Sequence, residues 1–181
     1  MIEIELKFRL ENPMEFIKSI LANGYHKTET IHQIDTYLNS PFHNFHKTDE
    51  ALRIRETDNL KELTYKGPKT SKKSKMREEI SVSINSSTEM LLIFNRLGFE
   101  KVAQVKKTRQ VFEKDGTLEI TVDEVEGLGF FSEFEITIED EKDKEDREDY
   151  LRMICQQFGL NPDNQIRTSY LELLLSKERN P

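Results

Sequence analysis

Residues 1–10 read Met1-Ile2-Glu3-Ile4-Glu5-Leu6-Lys7-Phe8-Arg9-Leu10. Apolar side chains take the even positions from Ile2 to Leu10, and Glu3, Glu5, Lys7 and Arg9 take the odd ones. That period of two is the signature of a strand with one apolar and one polar face. The polar face of an ordinary strand is a mixed, mostly uncharged set turned to water. Here every polar position carries a charge. Outward from this stretch the same alternation returns in residues 30–38, 51–56, 60–66, 78–84, 103–112, 118–122 and 131–138, which read as further strands. Arg53 and Arg55 flank Ile54, Thr64 and Lys66 oppose Leu63 and Tyr65, and Arg77 shares a face with Glu79 and Ser81. Lys107 and Arg109 share a face, as do Glu119, Thr121 and Asp123, and as do Glu133, Glu135 and Thr137.

Between the strands the apolar period lengthens to that of a helix. Asn12 followed by Pro13 is a cap and first-turn pair, Phe16, Ile17, Ile20 and Leu21 recur at helical spacing, and Asn23-Gly24 stops the helix, predicting residues 13–23. Ser86 or Ser87 caps a second helix that carries Leu91, Leu92 and Phe94 and ends at Gly98. A third runs from near Asp143 to Gly159, with acidic residues in the first turn where the macrodipole favours them, and a short fourth covers residues 168–177. Eight strands and four helices predict an α+β fold: a large antiparallel sheet closed toward a barrel, with helices outside. The halves echo one another, because Gly24 to Asp35 and Gly98 to Arg109 are each intervals of 11 residues, both preceded by a helix and followed by a strand. We read an internal duplication.

The chain has 181 residues, 27 of them Lys or Arg and 34 Asp or Glu, for a net charge of −7. This length predicts a single domain over residues 1–181. A pI near 5.3 argues against general nucleic-acid binding, which needs a clustered basic surface. The one cysteine, Cys155, has no internal disulfide partner, and the start lacks an apolar signal core, predicting a cytoplasmic protein. Apolar runs are far shorter than the roughly 20 residues that span a bilayer, so no membrane partner is expected.

A closed sheet can turn its apolar faces inward, or line a polar tunnel with its charged faces while helices cover the apolar outside. Four amphipathic helices need a surface to bury against, which favours the tunnel. The carboxylates Glu3, Glu5, Asp123, Glu133 and Glu135 would then converge with the cations Lys7, Arg53, Arg55, Lys66, Lys107 and Arg109. Burying so many ions without a ligand is costly. Grouped carboxylates are the hard oxygen donors that Mg²⁺ or Mn²⁺ prefers, and Lys and Arg arrays hold phosphate oxygens, so metal plus polyphosphate fits both sets. The alternative at this point is an exposed sheet face laced with cross-strand salt bridges.

The motifs resemble those of the CYTH superfamily, the triphosphate tunnel metalloenzymes. Glu3-Ile4-Glu5-Leu6-Lys7 matches its ExExK signature, followed in order by Asp35-Thr36-Tyr37, Leu52-Arg53-Ile54-Arg55, Thr64-Tyr65-Lys66-Gly67-Pro68, Arg77-Glu78-Glu79 and Val105-Lys106-Lys107-Thr108-Arg109. The stretch from Asp123 to Glu135 and the later Ser169-Tyr170-x-Glu172-Leu173-Leu174 look most like the class IV adenylyl cyclase branch. The resemblance implies an eight-stranded closed tunnel in which a triphosphate lies beside one or two divalent metals. It makes Glu3, Glu5, Asp123, Glu133 and Glu135 the metal ligands and Lys7, Arg53, Arg55, Lys66, Arg77, Lys107 and Arg109 the phosphate-binding cations, with Glu3, Glu5, Lys7 and Lys107 carrying catalysis. It implies conversion of ATP to 3′,5′-cyclic AMP and pyrophosphate, with Mg²⁺ or Mn²⁺ as cofactor and a homodimer as the assembly. Two other readings stand beside it, a triphosphatase acting on inorganic, thiamine or nucleoside triphosphate, and a non-catalytic module that binds polyphosphate or nucleotide.

Other features read as structural. The four histidines lack a zinc spacing, and His43-x-x-His46 sits in a loop beside Pro41. Cys155 reads as a small core residue, and the charged run at 139–149 as a solvated helix start. Gly127 and Gly129 read as a turn between strands. Residues 66–77 hold six basic residues with one Gly and one Pro, predicting a mobile loop that closes over ligand.

Overall fold

The computed structural model describes residues 2–68 and 78–179. Arg77 and most of the basic loop therefore lie outside the described residues. All eight strands form: β1 (Ile2–Leu10), β2 (His26–Asn39), β3 (Ala51–Thr57), β4 (Lys61–Lys66), β5 (Glu79–Ser83), β6 (Glu100–Glu113), β7 (Glu119–Val125) and β8 (Gly129–Ile138). They make one antiparallel sheet in the order β1-β8-β7-β6-β2-β3-β4-β5. Among the described residues five α-helices accompany it: α1 (Pro13–Ala22), α2 (Phe45–Thr48), α3 (Ser87–Arg96), α4 (Lys144–Gln157) and α5 (Tyr170–Arg179).

The element order β-α-β-β-β occurs twice, as β1-α1-β2-β3-β4 and as β5-α3-β6-β7-β8, the four-residue α2 aside. Exchanging β1 with β5, β2 with β6, β3 with β7 and β4 with β8 reproduces the same strand order read backwards. The halves are thus related by a two-fold between β2 and β6, the two 14-residue strands. Both central strands follow a helix closed by a glycine at positive φ, Gly24 at 85° and Gly98 at 87°, a conformation that other residues adopt only with strain.

The apolar strand faces are covered by helices. Ile4, Leu6 and Phe8 of β1, Ile120 and Val122 of β7, and Phe134 and Ile136 of β8 pack against Phe16 and Ile20 of α1 and Leu151, Ile154 and Cys155 of α4. Leu38, Leu52 and Ile54 pack under Phe45 of α2 with Met90, Leu91 and Phe94 of α3. The charged faces are left on the other side. Lys7 of β1 and Lys107 of β6 stand with their ammonium nitrogens 4.3 and 5.3 Å from the centre of the Tyr170 ring. In a flat sheet those strands, three places apart, would be about 14 Å from each other, so the sheet curls and turns its charged face into a tunnel. The predicted architecture holds in this form, with one difference: among the described residues no ladder joins the edge strands β1 and β5, so the ring is not closed by hydrogen bonds. β5 is five residues long and exposed throughout.

Element bounds differ where the pattern carries no information. β2 and β6 begin before the predicted starts, because residues 26–29 are exposed and polar and are held as strand only by pairing with β6. The turn of α2 replaces part of the predicted loop at 43–46; Asn44 caps it by accepting from the His46 N–H, and Phe45 supplies its buried side chain. Gly127 falls in the predicted turn between β7 and β8, and Cys155 is a buried core residue, its thiol pushed up to about 12 by burial. Among the described residues no helix is long and apolar enough to cross a membrane.

Candidate functional site

The tunnel face divides into an acidic end, a mixed middle and an apolar end. At the acidic end the register sets four carboxylates in one row across four strands, Glu5 of β1 opposite Glu135 of β8, then Glu119 of β7, then Glu113 of β6. Like charges directly opposite one another are destabilising unless something neutralises them. Burial first, then a hydrogen bond donated to Glu3 and the charges of Glu3, Glu119 and Glu5, push the Glu135 carboxyl up to about 9. Burial likewise raises Glu119, with the charges of Glu113, Glu29 and Glu3 adding to it and that of Arg109 opposing it. A cavity of about 450 Å³ opens here, lined by Glu113, Glu119, Glu135, Asp143 and Arg147 among others.

In the middle, charges of both signs interlock. Arg109 grips Asp123 with both arms of its guanidinium, Nε on Oδ1 at 2.7 Å and Nη2 on Oδ2 at 2.6 Å, and Nη2 also donates to Glu133. Lys107 donates to Asp123 at 3.0 Å, and Lys7 lies 4.0 Å from Glu133. Burial alone would raise the Asp123 carboxyl, but Lys107 and Arg109 outweigh it and hold the group below its ordinary range. For the lysine the balance runs the other way: burial, with Arg109 beside it, lowers the pKa of Lys107 despite Asp123 and Glu133.

The other half repeats this arrangement. Arg55 Nε and Nη2 donate to the two oxygens of Asp35 at 2.8 and 2.9 Å, the bidentate fork that makes arginine–carboxylate pairs strong. Arg53 stands 3.9 Å from Asp35 and 3.7 Å from Glu62 and donates to the Thr64 hydroxyl at 3.2 Å. Lys66 pairs with Glu79 of the neighbouring strand, yet burial and the nearby Arg53 still lower its pKa.

The far end of the tunnel is apolar and is plugged by α5. Val105, Val125, Phe131 and Tyr170 form a buried cluster. The chain reaches this place because the Ile166 N–H donates to the Lys7 carbonyl at 2.7 Å and because Ser169 and Glu172 cap α5 reciprocally, the Glu172 N–H donating to Ser169 Oγ and the Ser169 N–H to the Glu172 carboxylate. That start projects Tyr170 inward, its hydroxyl donating to Asp123 at 3.0 Å.

Of the residues expected from sequence, Glu3, Glu5 and Glu135 therefore gather at one end. Asp123 and Glu133 stand among cations instead, and Lys7, Arg53, Arg55, Lys66, Lys107 and Arg109 all face the tunnel. Among the described residues no three carboxylates close on a single point. As donors they still suit a hard divalent cation, since the Glu3 and Glu135 carboxyls lie within hydrogen-bond reach of one another, a contact that a metal would replace. Asp35, Glu62, Glu113, Glu119 and Tyr170 are tunnel residues that were missed as site residues. Asp35 and Glu119 had a signal in the alternation, being charged residues on the same face as the chosen ones. Tyr170 had only the resemblance of residues 169–174 and its capping box, neither of which tells where the helix docks.

Known proteins share this organisation. A protein of Methanocaldococcus jannaschii that carries the provisional name of an adenylate cyclase is 39% identical over 173 residues, covering 96% of this chain and 98% of its own. The adenylate cyclase CyaB of Aeromonas hydrophila is 25% identical over 174 residues, covering 94% and 87%. The structure of the PH1819 protein of Pyrococcus horikoshii superposes with a TM-score of 0.86 at 37% identity, covering 97% and 99%. HpAC1 of Hippeastrum, described as having a dominant triphosphatase activity, shares the fold with a TM-score of 0.68 at 21% identity over 97% and 96%. The CYTH domain itself is matched by residues 1–170, and with these relatives and this tunnel the chain belongs to the CYTH family.

Proposed function

We propose that this chain is a divalent-metal-dependent enzyme acting on a triphosphate held in the tunnel, and that its reaction is the conversion of ATP to 3′,5′-cyclic AMP and pyrophosphate. The observation that carries this reading is the convergence, on one concave face, of Lys7, Arg53, Arg55, Lys66, Lys107 and Arg109 beside the carboxylates Glu3, Glu5 and Glu135. Cations in such number hold a chain of phosphates in a fixed line. Asp123 and Glu133 space those cations and, with Glu3, Glu5 and Glu135, supply the oxygen donors for Mg²⁺ or Mn²⁺. The bound metal would offset charge on the triphosphate and the leaving pyrophosphate. Lys7 and Lys107, both buried beside the Tyr170 ring, would bind phosphate oxygens at the mixed middle of the tunnel.

In the cyclase reaction the ribose 3′-oxygen forms a bond to the α-phosphorus as the α–β bridging bond breaks, and pyrophosphate leaves. The same residues could hold a triphosphate for attack by water at the γ-phosphorus, the activity described for the Hippeastrum protein, and only the oxygen placed in line differs. Incubating the protein with ATP and Mg²⁺ or Mn²⁺ and separating the nucleotides tests the proposal. Cyclic AMP and pyrophosphate in equal amounts are expected. ADP and phosphate without cyclic AMP would overturn the cyclase in favour of a triphosphatase, and tight tripolyphosphate binding with no product would make the chain a binding module.

A further inference from the structure

Among the described residues four buried side-chain atoms have no hydrogen-bond partner: Arg53 Nε, Ser87 Oγ, Thr121 Oγ1 and Ser132 Oγ. Ser87 opens α3, and Ser132 lies on the helix-covered side of β8, opposite Phe8 and Val122. Arg53 and Thr121 are the two on the tunnel face, and they are related. The two-fold that matches the Asp35–Arg55 pair of β2 and β3 with the Arg109–Asp123 pair of β6 and β7 also matches Arg53 with Thr121, each two residues before its strand's member of the pair. Two orphaned polar atoms thus occupy equivalent places on either side of the central strands.

Buried polar groups are almost always paired, so an unpaired one in a functional tunnel marks a missing partner. Thr121 is 1% exposed and lies directly opposite Glu133. Its carboxylate neighbours are engaged elsewhere, Asp123 by Arg109, Lys107 and Tyr170, and Glu133 by Arg109 and Lys7. The hydroxyl therefore keeps a donor for an incoming acceptor, as does Arg53 Nε across the two-fold. We propose that Thr121 is a triphosphate-binding residue, donating its hydroxyl to a phosphate oxygen of a ligand that also takes Arg53 Nε. This rests on the triphosphate reading of the tunnel.

The test is Thr121→Val in the full chain, which keeps the shape and removes the hydroxyl. Calorimetric titration with inorganic tripolyphosphate in Mg²⁺ should show about 10- to 150-fold weaker binding, the range for losing one hydrogen bond to a charged group. Thr121→Ser should stay within about twofold of the parent. The ligand-free thermal midpoint of Thr121→Val should equal or exceed that of the parent, since an unpaired polar group has been removed. Parent-like tripolyphosphate affinity in Thr121→Val would overturn this inference while leaving the triphosphate reading in place. An equal loss in binding of Mn²⁺ alone would also overturn it, by making the hydroxyl a partner of the metal's water. A parent protein that does not bind tripolyphosphate would overturn both.

Discussion

Asp35 and Arg109 hold equivalent places on the two central strands, each 11 residues past the glycine that ends the preceding helix, and they carry opposite charges. Each is gripped by the residue directly opposite on the next strand out, Asp35 by Arg55 and Arg109 by Asp123. The two halves therefore build the same fork-on-fork ion pair with its signs exchanged. One consequence is that the cation density runs across both halves without a break. Another is that each central strand is tied to its outer neighbour inside the tunnel, where ligand must lie.

Breaking one fork should cost more than removing it. Asp35 is 4% exposed, so Asp35→Asn leaves the Arg55 and Arg53 charges facing a neutral amide in a largely dry site. Breaking a buried pair costs about 3–5 kcal/mol, and Arg55 keeps a quarter of its side chain in solvent, which brings the expectation to about 2–4 kcal/mol. The double variant Asp35→Leu with Arg55→Met should recover at least half of that. Urea unfolding midpoints measure both, and a double variant less stable than Asp35→Asn would refute the account.

The same pair sets a pH dependence. Burial raises the Asp35 carboxyl, but the Arg55 hydrogen bonds and the charges of Arg55, Arg53 and Lys107 outweigh it, and the group sits at about 2 against an ordinary 3.8. A depressed carboxyl stabilises the fold above its unfolded pKa, and that stability is lost as pH falls toward the folded value. The difference in unfolding free energy between the parent and Asp35→Asn should therefore be constant above about pH 5 and shrink by about 2 kcal/mol on the way to pH 2. A difference that stays flat over that range would show that Asp35 is not held below its ordinary pKa.

Alternation made the strands, their faces and most of the charged tunnel residues legible, because a period of two assigns every side chain to a side of the sheet once one is assigned. Glu3, Lys7, Arg53 and Arg109 could be grouped that way without knowing a single contact. Which carboxylate meets which cation was not legible, because it depends on register between strands far apart in sequence. Asp123 and Glu135 looked alike in the alternation, yet one lies in a nest of cations and the other in a row of acids. Tyr170 reaches the tunnel through the docking of α5 against β6, β8 and the Lys7 carbonyl, contacts that no local pattern encodes.

Tyr170 ties the plug to the ionic centre. Tyr170→Phe keeps the ring beside Lys7 and Lys107 and deletes only the hydroxyl bonded to Asp123. Hydrogen bonds to charged groups contribute about 1.5–3 kcal/mol, and Asp123 retains Lys107 and Arg109, so a loss of about 1–2 kcal/mol is expected by denaturant unfolding. No loss would mean that the bond to Asp123 does not hold α5 in place.

Glu119 faces a carboxylate on each side, Glu135 on β8 and Glu113 on β6. Glu135, pushed up to about 9, is uncharged at neutral pH, so in the metal-free protein Glu119→Gln removes the repulsion from Glu113 while keeping the shape. The thermal midpoint should rise, by the equivalent of about 0.2–1 kcal/mol for relief of a like-charge pair. The rise should be smaller in high salt, which already screens the partly exposed row. A fall in the midpoint at low salt would show that Glu119 is instead held by a favourable contact.

Glu3 lies two residues before Glu5 on β1, beside that row and opposite Thr137, and is exposed, so Glu3→Ala should leave the fold intact. Its proposed role is to hold metal, and anything that binds the native state alone raises the unfolding temperature with concentration. The parent should therefore gain thermal stability when Mn²⁺ is added without substrate, and Glu3→Ala should lose most of that gain. Turnover with ATP and Mn²⁺ should fall by about 100-fold or more if the carboxylate is a metal ligand. The thermal shift separates this role from one in substrate binding, since a variant that keeps the full Mn²⁺ shift but loses turnover would take Glu3 out of the metal site and leave it a contact for the substrate.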